Sequence, residues 1–382
     1  MELRNSVAAL LHDAENIRRD LHRIPETAFE EYETRDYVIS RLEKCEPDEI
    51  VRLSDTGLKA VWYAKNPERT VAVRADMDGL NLKELNDTDY VSVHEGKMHG
   101  CGHDGHMTML LLLAELLHSC HDRLRDNVVL IFQPGEEGKG GARVMINAGA
   151  LSNPKVDRIY GFHLWPTVPK GKIGVRWGEQ MAQSCEFDVV VKGRSAHGAS
   201  PQKGIDAIVA AAEFIAILQT AITRSVDPHQ DALLTIGRIS GGVARNVIAD
   251  SVEMNATLRV FSSEVYNQLL KRIHSMADGV ALATGAEFEI IELMQYPSVR
   301  NPRWMVEEFY TYMDMDDIVL VDPAMAAEDF ACYQEHVPGL FLFLGVGGGK
   351  NSQPLHNGRF DFDEDVLLTG VEIYCRLLGL DI

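Results

Sequence analysis

Residues 99–106 read His-Gly-Cys-Gly-His-Asp-Gly-His, and residues 107–117 continue Met-Thr-Met-Leu-Leu-Leu-Leu-Ala-Glu-Leu-Leu. The second half is apolar almost all round, so a helix formed here is expected to be buried on most faces. Strand-like runs lie before it at 58–63 and 70–74, and after it at 128–132 and 158–163. Strands alternating with helices predict an α/β sheet covered on both sides. The first half gathers three imidazoles, a thiol and a carboxylate on a backbone that its glycines allow to bend. Such a mixture of soft and borderline ligands suits a transition-metal site. A polar loop with incidental histidines is the plainer reading, but ordinary loops seldom collect so many ligand types.

Upstream, helix-period apolar residues over 3–23 stop at Pro25, and 30–44 reads as a second helix. Downstream the period changes. Cys185, Phe187, Val189 and Val191 alternate with opposite-face residues, as in a strand with one wet face. A helix over 204–223, strands over 232–239 and 252–260, a helix over 264–284 and a strand over 287–291 follow. This β-α-β-β-α-β order is the split pattern of a ferredoxin-like sandwich. It predicts an inserted α+β domain at 180–296, with residues 1–179 and 297–382 forming the α/β domain that it interrupts. The α/β pattern resumes at 318–321 and 340–344 and closes on a helix over 363–378.

At 382 residues, two domains are the natural expectation. The chain has 37 basic and 57 acidic residues, a net charge of -20. That weighs against nucleic-acid backbones and anionic membranes as partners, and it means that an anionic substrate needs a locally basic pocket. No unbroken apolar run reaches the ~18 residues of a membrane span. The N-terminus, Met-Glu-Leu-Arg-Asn, lacks a signal peptide's order, so a cytoplasmic address is expected. The cysteines Cys45, Cys101, Cys120, Cys185, Cys332 and Cys375 show no paired spacing, which fits reduced thiols. Five of them read as core residues; Cys101 stands apart among glycines and histidines.

In an extended segment residues i and i+2 face the same way, so Cys101 and His103 can reach one ion together. His99 and His106 are expected to support the site or to be merely polar. Glu136 and Glu137 follow the strand 128–132, at the carboxyl end where α/β sheets gather their chemistry. One of the pair can bind metal while the other handles protons. His163 and His356 lie in Gly161-Phe162-His163-Leu164-Trp165-Pro166 and in Leu355-His356-Asn357-Gly358, the latter after the glycine run 345–349. Each is weak alone. Together Cys101, His103, Glu137, His163 and His356 exceed what one four-coordinate ion with an open position uses. Two divalent ions about 3.5–4 Å apart would use them all, and zinc, manganese, cobalt or nickel would suit this donor set.

These motifs, in order, resemble the metal-dependent amidohydrolase family of the zinc-peptidase superfamily that includes hippurate hydrolase, indoleacetyl-amino-acid hydrolases and N-acetyl-diaminopimelate deacetylase. The resemblance runs through Arg18-Arg19-Asp20-Leu21-His22, Arg74-Ala75-Asp76-Met77-Asp78-Gly79, the 101–106 segment and Phe132-Gln133-Pro134-Gly135-Glu136-Glu137. It continues in Gly193-Arg194-Ser195-Ala196-His197, Asn246-Val247-Ile248, Ala327-Glu328-Asp329-Phe330 and Leu355-His356-Asn357. It implies a zinc-peptidase-like mixed-sheet catalytic domain with a ferredoxin-like lid, and hydrolysis of N-acyl amino acids (N-acetyl, benzoyl or aryl-acetyl conjugates). By the same resemblance Cys101, His103, Glu137, His163 and His356 are metal ligands, and Glu136 is the general base and acid. His197 and Asn246 hold substrate from the lid, which also forms a homodimer or higher homo-oligomer, with His197 acting in cis or in trans. Relatives often carry Pro where Ala249 stands and Ala where Gly100 stands. More distant peptidases place a His-x-Asp where Arg74 and Asp76 lie, so that ligand is expected to be replaced by His103, with Asp76 and Asp78 in support.

A metallo-dipeptidase or carboxypeptidase is the nearest alternative chemistry. A metal-free hydrolase with Cys101 as nucleophile, or a two-domain protein that binds an amino-acid-like ligand without reaction, are the more distant ones. The adjacent Glu136 and Glu137 weigh against both. Arg245, beside Asn246, could meet a substrate carboxylate or be a solvated surface charge.

Overall fold

The computed structural model describes residues 1–348 and 353–382. Gly349, the end of the glycine run before His356, lies outside the described residues. The chain forms two compact units: Met1–Gln180 with Arg300–Asp322 and Asp329–Ile382, and Met181–Val299 with Pro323–Glu328. The segment Pro323–Glu328, expected with the α/β part, groups with the second unit. The cause is local, because the Ala182 N–H donates to the carbonyls of Ala324 and Ala326 at 3.1 and 2.9 Å.

Unit 1 is built on an eight-stranded mixed sheet. Its order is Glu49–Arg52, Leu58–Trp62, Asn127–Gln133, Thr70–Asp76, Arg158–Pro169, Gly339–Gly347, Ile173–Val175, Ile318–Leu320. The four strands from Asn127–Gln133 through Gly339–Gly347 run parallel, so their carboxyl ends share one edge. Every residue of Thr70–Asp76 and of Asn127–Gln133 is buried, as expected for strands covered on both faces. Neighbouring residues of Arg158–Pro169 display the two coverings. Phe162 packs edge-on against Tyr374 of helix Val366–Leu377 with ring centroids 4.9 Å apart. On the opposite face, the Phe330 ring lies so close over Gly161 that a Cβ there would stand 2.9 Å from it.

Helix His103–Cys120 begins four residues before the apolar run. Its first turn is polar yet buried, which is possible because His103, Asp104 and His106 all find partners inside the protein. The strands Glu49–Arg52 and Ile173–Val175 and the helix Arg303–Tyr310 add elements for which the sequence gives no clear period.

Unit 2 carries a four-stranded antiparallel sheet in the order Ala232–Gly241, Ser251–Val260, Gln183–Lys192, Glu287–Tyr296. Numbered along the chain this is 2-3-1-4, the ferredoxin-like arrangement, with helices Ala207–Ser225 and Ser263–Thr284 on the sheet. The Asp206 carboxylate accepts the N–H groups of Ile208 and Val209 and caps the first helix. Ser262 caps the second, and Gly285 in the left-handed region ends it. By length and composition, Ala207–Ser225 could cross a membrane, although no unbroken apolar run suggests it. Phe214 and Leu218 are instead buried in the unit's own core, and Glu213 and Arg224 interrupt the helix. Ile208, Val209 and Ile217 remain exposed on it.

Candidate metal centre

Three loops converge at the shared carboxyl edge of unit 1. The first places Cys101 and His103, though not as an extended pair. Gly102 takes φ +85°, and a Cβ there would meet Leu164 Cδ1 at 2.9 Å, so only glycine makes this turn into the helix. The turn replaces the extended geometry anticipated from the i, i+2 spacing. The second loop leaves Asn127–Gln133 through Gly135, at φ +64°, and brings Glu136 and Glu137. The third returns His356, itself at φ +59°, where its N–H donates to the Gly100 carbonyl at 2.8 Å.

Second partners set the tautomer of the inner histidines. His103 donates from Nδ1 to the Asp78 carbonyl at 2.8 Å, which turns Nε2 inward. That Nε2 is fully buried, 3.7 Å from Asp76 Oδ2, and has no hydrogen-bond partner among the described residues. His163 donates from Nδ1 to the Leu164 carbonyl at 2.7 Å, and its Nε2 stands 3.4 Å from Cys101 Sγ. His356 Nε2 lies 3.1 Å from Glu137 Oε1. This is an ion-pair separation. The donor atoms of Cys101, His103 and His163 fall within 4.8 Å of one another. Those of Cys101, Glu137 and His356 do the same, as do those of His103, Glu136 and Glu137. Cys101 thus belongs to two groups, and all five candidate ligands and Glu136 come together.

His106 also lies within 4.8 Å of His103 and Asp76, but its nitrogens are taken. Nδ1 donates to Asp76 Oδ1 at 2.6 Å and Nε2 accepts the Leu164 N–H at 2.9 Å. His106 therefore supports the site, holding strand end and helix together. His99 is buried with neither ring nitrogen partnered among the described residues, and burial pushes it down to about 3, leaving it neutral.

Asp78 has a part that the sequence only hinted at. Besides orienting His103 through its carbonyl, its carboxylate accepts the N–H groups of Glu136 and Glu137 at 3.1 and 3.0 Å. Arg74, fully buried, pairs with Asp76 at 2.8 Å and with Asp329 at 2.7 Å, and donates from Nε to Gln133 at 2.8 Å. Burial opposes ionisation of Asp76, but His103, His106 and Arg74 overcome it and hold its carboxyl well below the ordinary range. Behind His103, Asp104 is gripped by Arg18 at 3.0 Å and His22 at 2.7 Å, and Arg18 also pairs with Asp361 at 2.8 Å. Arg18 and His22, four apart on helix Leu11–Arg23, form one polar face directed into the protein.

The electrostatics call for positive charge. Although burial works against it, Asp76 and Asp78 raise His103 to about 10. Burial, then Glu137 and Glu136, pushes the Cys101 thiol well above its ordinary value. A neutral thiol is a poor nucleophile, which weighs against metal-free cysteine chemistry. A cation would reverse that penalty, and a thiol, imidazoles and a carboxylate turned inward are the donors that a divalent transition metal takes.

In unit 2, His197 and Asn246 are brought together on a small ladder that pairs Ala196–His197 with Val247–Ile248. The Gly198 N–H donates to the Asn246 carbonyl at 2.8 Å. His197 Nδ1 accepts the Ala199 N–H at 3.0 Å, and both side chains are exposed, as is Arg245.

The chain is also similar to known proteins over most of its length. The model of peptidase family M20/M25/M40 matches residues 72–379. N-acetyldiaminopimelate deacetylase of Leuconostoc citreum is 36% identical over 365 residues, covering 93% of each chain. Its counterpart in Bacillus pumilus is 37% identical over 366 residues, covering 94% of this chain and 95% of its own. Among solved structures, the Bacillus subtilis YXEP protein, a dinuclear metal binding peptidase from the M20 family, superposes with a TM-score of 0.83. It is 32% identical, over 97% of this chain and 99% of its own.

Proposed function

Because this chain belongs to peptidase family M20/M25/M40, and is thereby a metal-dependent amide-bond hydrolase, we propose that it cleaves N-acyl amino acids to a carboxylic acid and a free amino acid. Two divalent ions would be held by Cys101, His103, Glu137, His163 and His356. The observation that carries this reading is the buried, unpartnered His103 Nε2 facing both Glu136 and Glu137. Bound there, the ions would polarise the scissile carbonyl and acidify a water.

Glu136 stands beside the donor atoms of His103 and Glu137, and its backbone is pinned by Asp78. It takes the proton from the attacking water and returns it to the departing amine. Glu137, one residue on, serves as ligand. From unit 2, His197 donates from Nε2 to the developing oxyanion, and Asn246 hydrogen-bonds the substrate carboxylate. The relatives' name, N-acetyldiaminopimelate deacetylase, supports an acetyl group on an amino acid that carries further charged groups. The exposed Ile208, Val209 and Ile217 support a homodimer formed through unit 2.

The test is release of free amino acid from a panel of N-acetyl, N-benzoyl and N-arylacetyl amino acids and dipeptides after reconstitution with zinc, manganese, cobalt or nickel. N-acyl amino acids should be turned over and dipeptides should not. Glu136→Gln should lose about 10²–10⁴-fold in kcat while keeping its metal. Preferential dipeptide cleavage, or near-full activity of the variant, would overturn the reading.

A further inference from the structure

Beside the metal centre, unit 1 carries a half-open pocket of about 280 Å³ with mixed polar and apolar lining, which includes Thr27, Glu30, Leu80, Asn81, Glu137 and Lys139. Glu137 belongs both to this lining and to the donor set, so the pocket adjoins the metal centre at that residue.

The two charges of opposite sign that line it are not equivalent. Glu30 is satisfied within the protein, because its Oε2 accepts from Thr27 Oγ1 at 2.7 Å and from Lys97 Nζ at 3.1 Å. Those contacts, Thr27 first, hold its carboxyl below the ordinary value. Lys139 has no hydrogen bond or ion pair among the described residues. Its place is set by the glycines on either side, Gly138 at φ +73° and Gly140 at φ +70°, which turn the chain sharply after Glu137. A chain of net charge -20 repels anions at long range, so an anionic substrate needs a local cation. Lys139, exposed and without a partner among the described residues, is such a cation in the lining of a pocket that shares Glu137 with the donor set.

We propose that this pocket receives the far end of the substrate's amino-acid side chain, and that Lys139 selects a carboxylate there. The favoured substrates are then N-acyl amino acids with an acidic or dipolar side chain, over those with an apolar one. Asn81 offers an amide donor to the same carboxylate. This assignment rests on the N-acyl-amino-acid reading above.

The test compares the metal-loaded enzyme with Lys139→Met, Lys139→Glu and Lys139→Arg in two assays. In the first, the ratio of kcat/KM for N-acetyl-glutamate to that for N-acetyl-leucine should fall about tenfold in Lys139→Met. The loss should sit in KM, and Lys139→Arg should restore the ratio. Lys139→Glu should turn the preference toward Nα-acetyl-lysine. In the second, titration calorimetry with the unreactive products glutamate and leucine reads the same selectivity without turnover. Hydrolysis with a ratio unchanged across the variants overturns the pocket assignment and leaves the reaction standing. If no N-acyl amino acid is cleaved, the reaction falls. The binding ratio then decides the pocket: loss of glutamate preference in Lys139→Met upholds it, and an unchanged ratio overturns it.

Discussion

Most of the polar residues that matter in unit 1, His103, Glu136 and His163 among them, are buried and held by further partners, although His356 is half exposed, whereas those singled out in unit 2 stand exposed on a two-residue ladder. His103 has its tautomer set by the Asp78 carbonyl, and the Glu136–Glu137 backbone is pinned by the Asp78 carboxylate. His197 has one local contact, from the Ala199 N–H, and Asn246 is engaged through its carbonyl. The first arrangement costs desolvation and is over-determined, so a metal meets donors already aimed. The second leaves side chains free to adjust to what they meet. The contrast separates a site built before substrate arrives from one that substrate completes.

This contrast predicts different failures. Removing the imidazole in His197→Ala should lower kcat by about 10²–10³-fold, the usual cost of one oxyanion donor. Metal content by elemental analysis should stay at the wild-type level, because His197 makes no part of the donor set. A variant that loses metal would place His197 with the ligands and dissolve the distinction. Asp78→Asn probes the other side with a smaller effect. The amide replaces one acceptor by a donor that faces a backbone N–H, so the Glu136–Glu137 turn should shift. Divalent-metal affinity, measured by competition with a chelator, should weaken about 10–100-fold. Unchanged affinity would mean that the second partners of the buried centre are ornamental.

What could be read ahead of the structure follows the same division. The ligand-bearing segment 99–106, the Glu136–Glu137 pair at a strand end and the ferredoxin-like order of unit 2 are local patterns, and local patterns survive in a sequence. The choice among His99, His103 and His106 is not local. It turns on Asp76 and the Leu164 N–H occupying both nitrogens of His106, contacts that span 30 and 58 residues. Arg74 meets Asp329 across 255 residues, and nothing in either segment announces the pairing. The start of helix His103–Cys120 was hidden because its first turn is polar. Burial of that turn depends on Arg18 and His22 from the distant helix Leu11–Arg23. Unit 2 has fewer such long-range polar pairings, and its period alone predicts most of it.

The smallest expected effect concerns stability and asks what the buried centre costs. Glu31 is fully buried, and its Oε1 accepts the N–H groups of Phe29 and Gly135, both at 2.9 Å. Burial, then the neighbouring Asp78, raises its carboxyl from 4.5 to about 7. An acid whose folded pKa exceeds its unfolded value binds more protons when folded. Its destabilising effect is therefore absent below about pH 4.5, grows as pH rises toward 7 and is complete above. Glu31→Gln keeps an acceptor for both N–H groups and removes the charge. The variant should match the wild type at pH 4.5 and exceed it at pH 8 by about 2 kcal/mol, read from denaturant midpoints. A stability difference that does not change with pH would show that the Glu31 charge is already compensated.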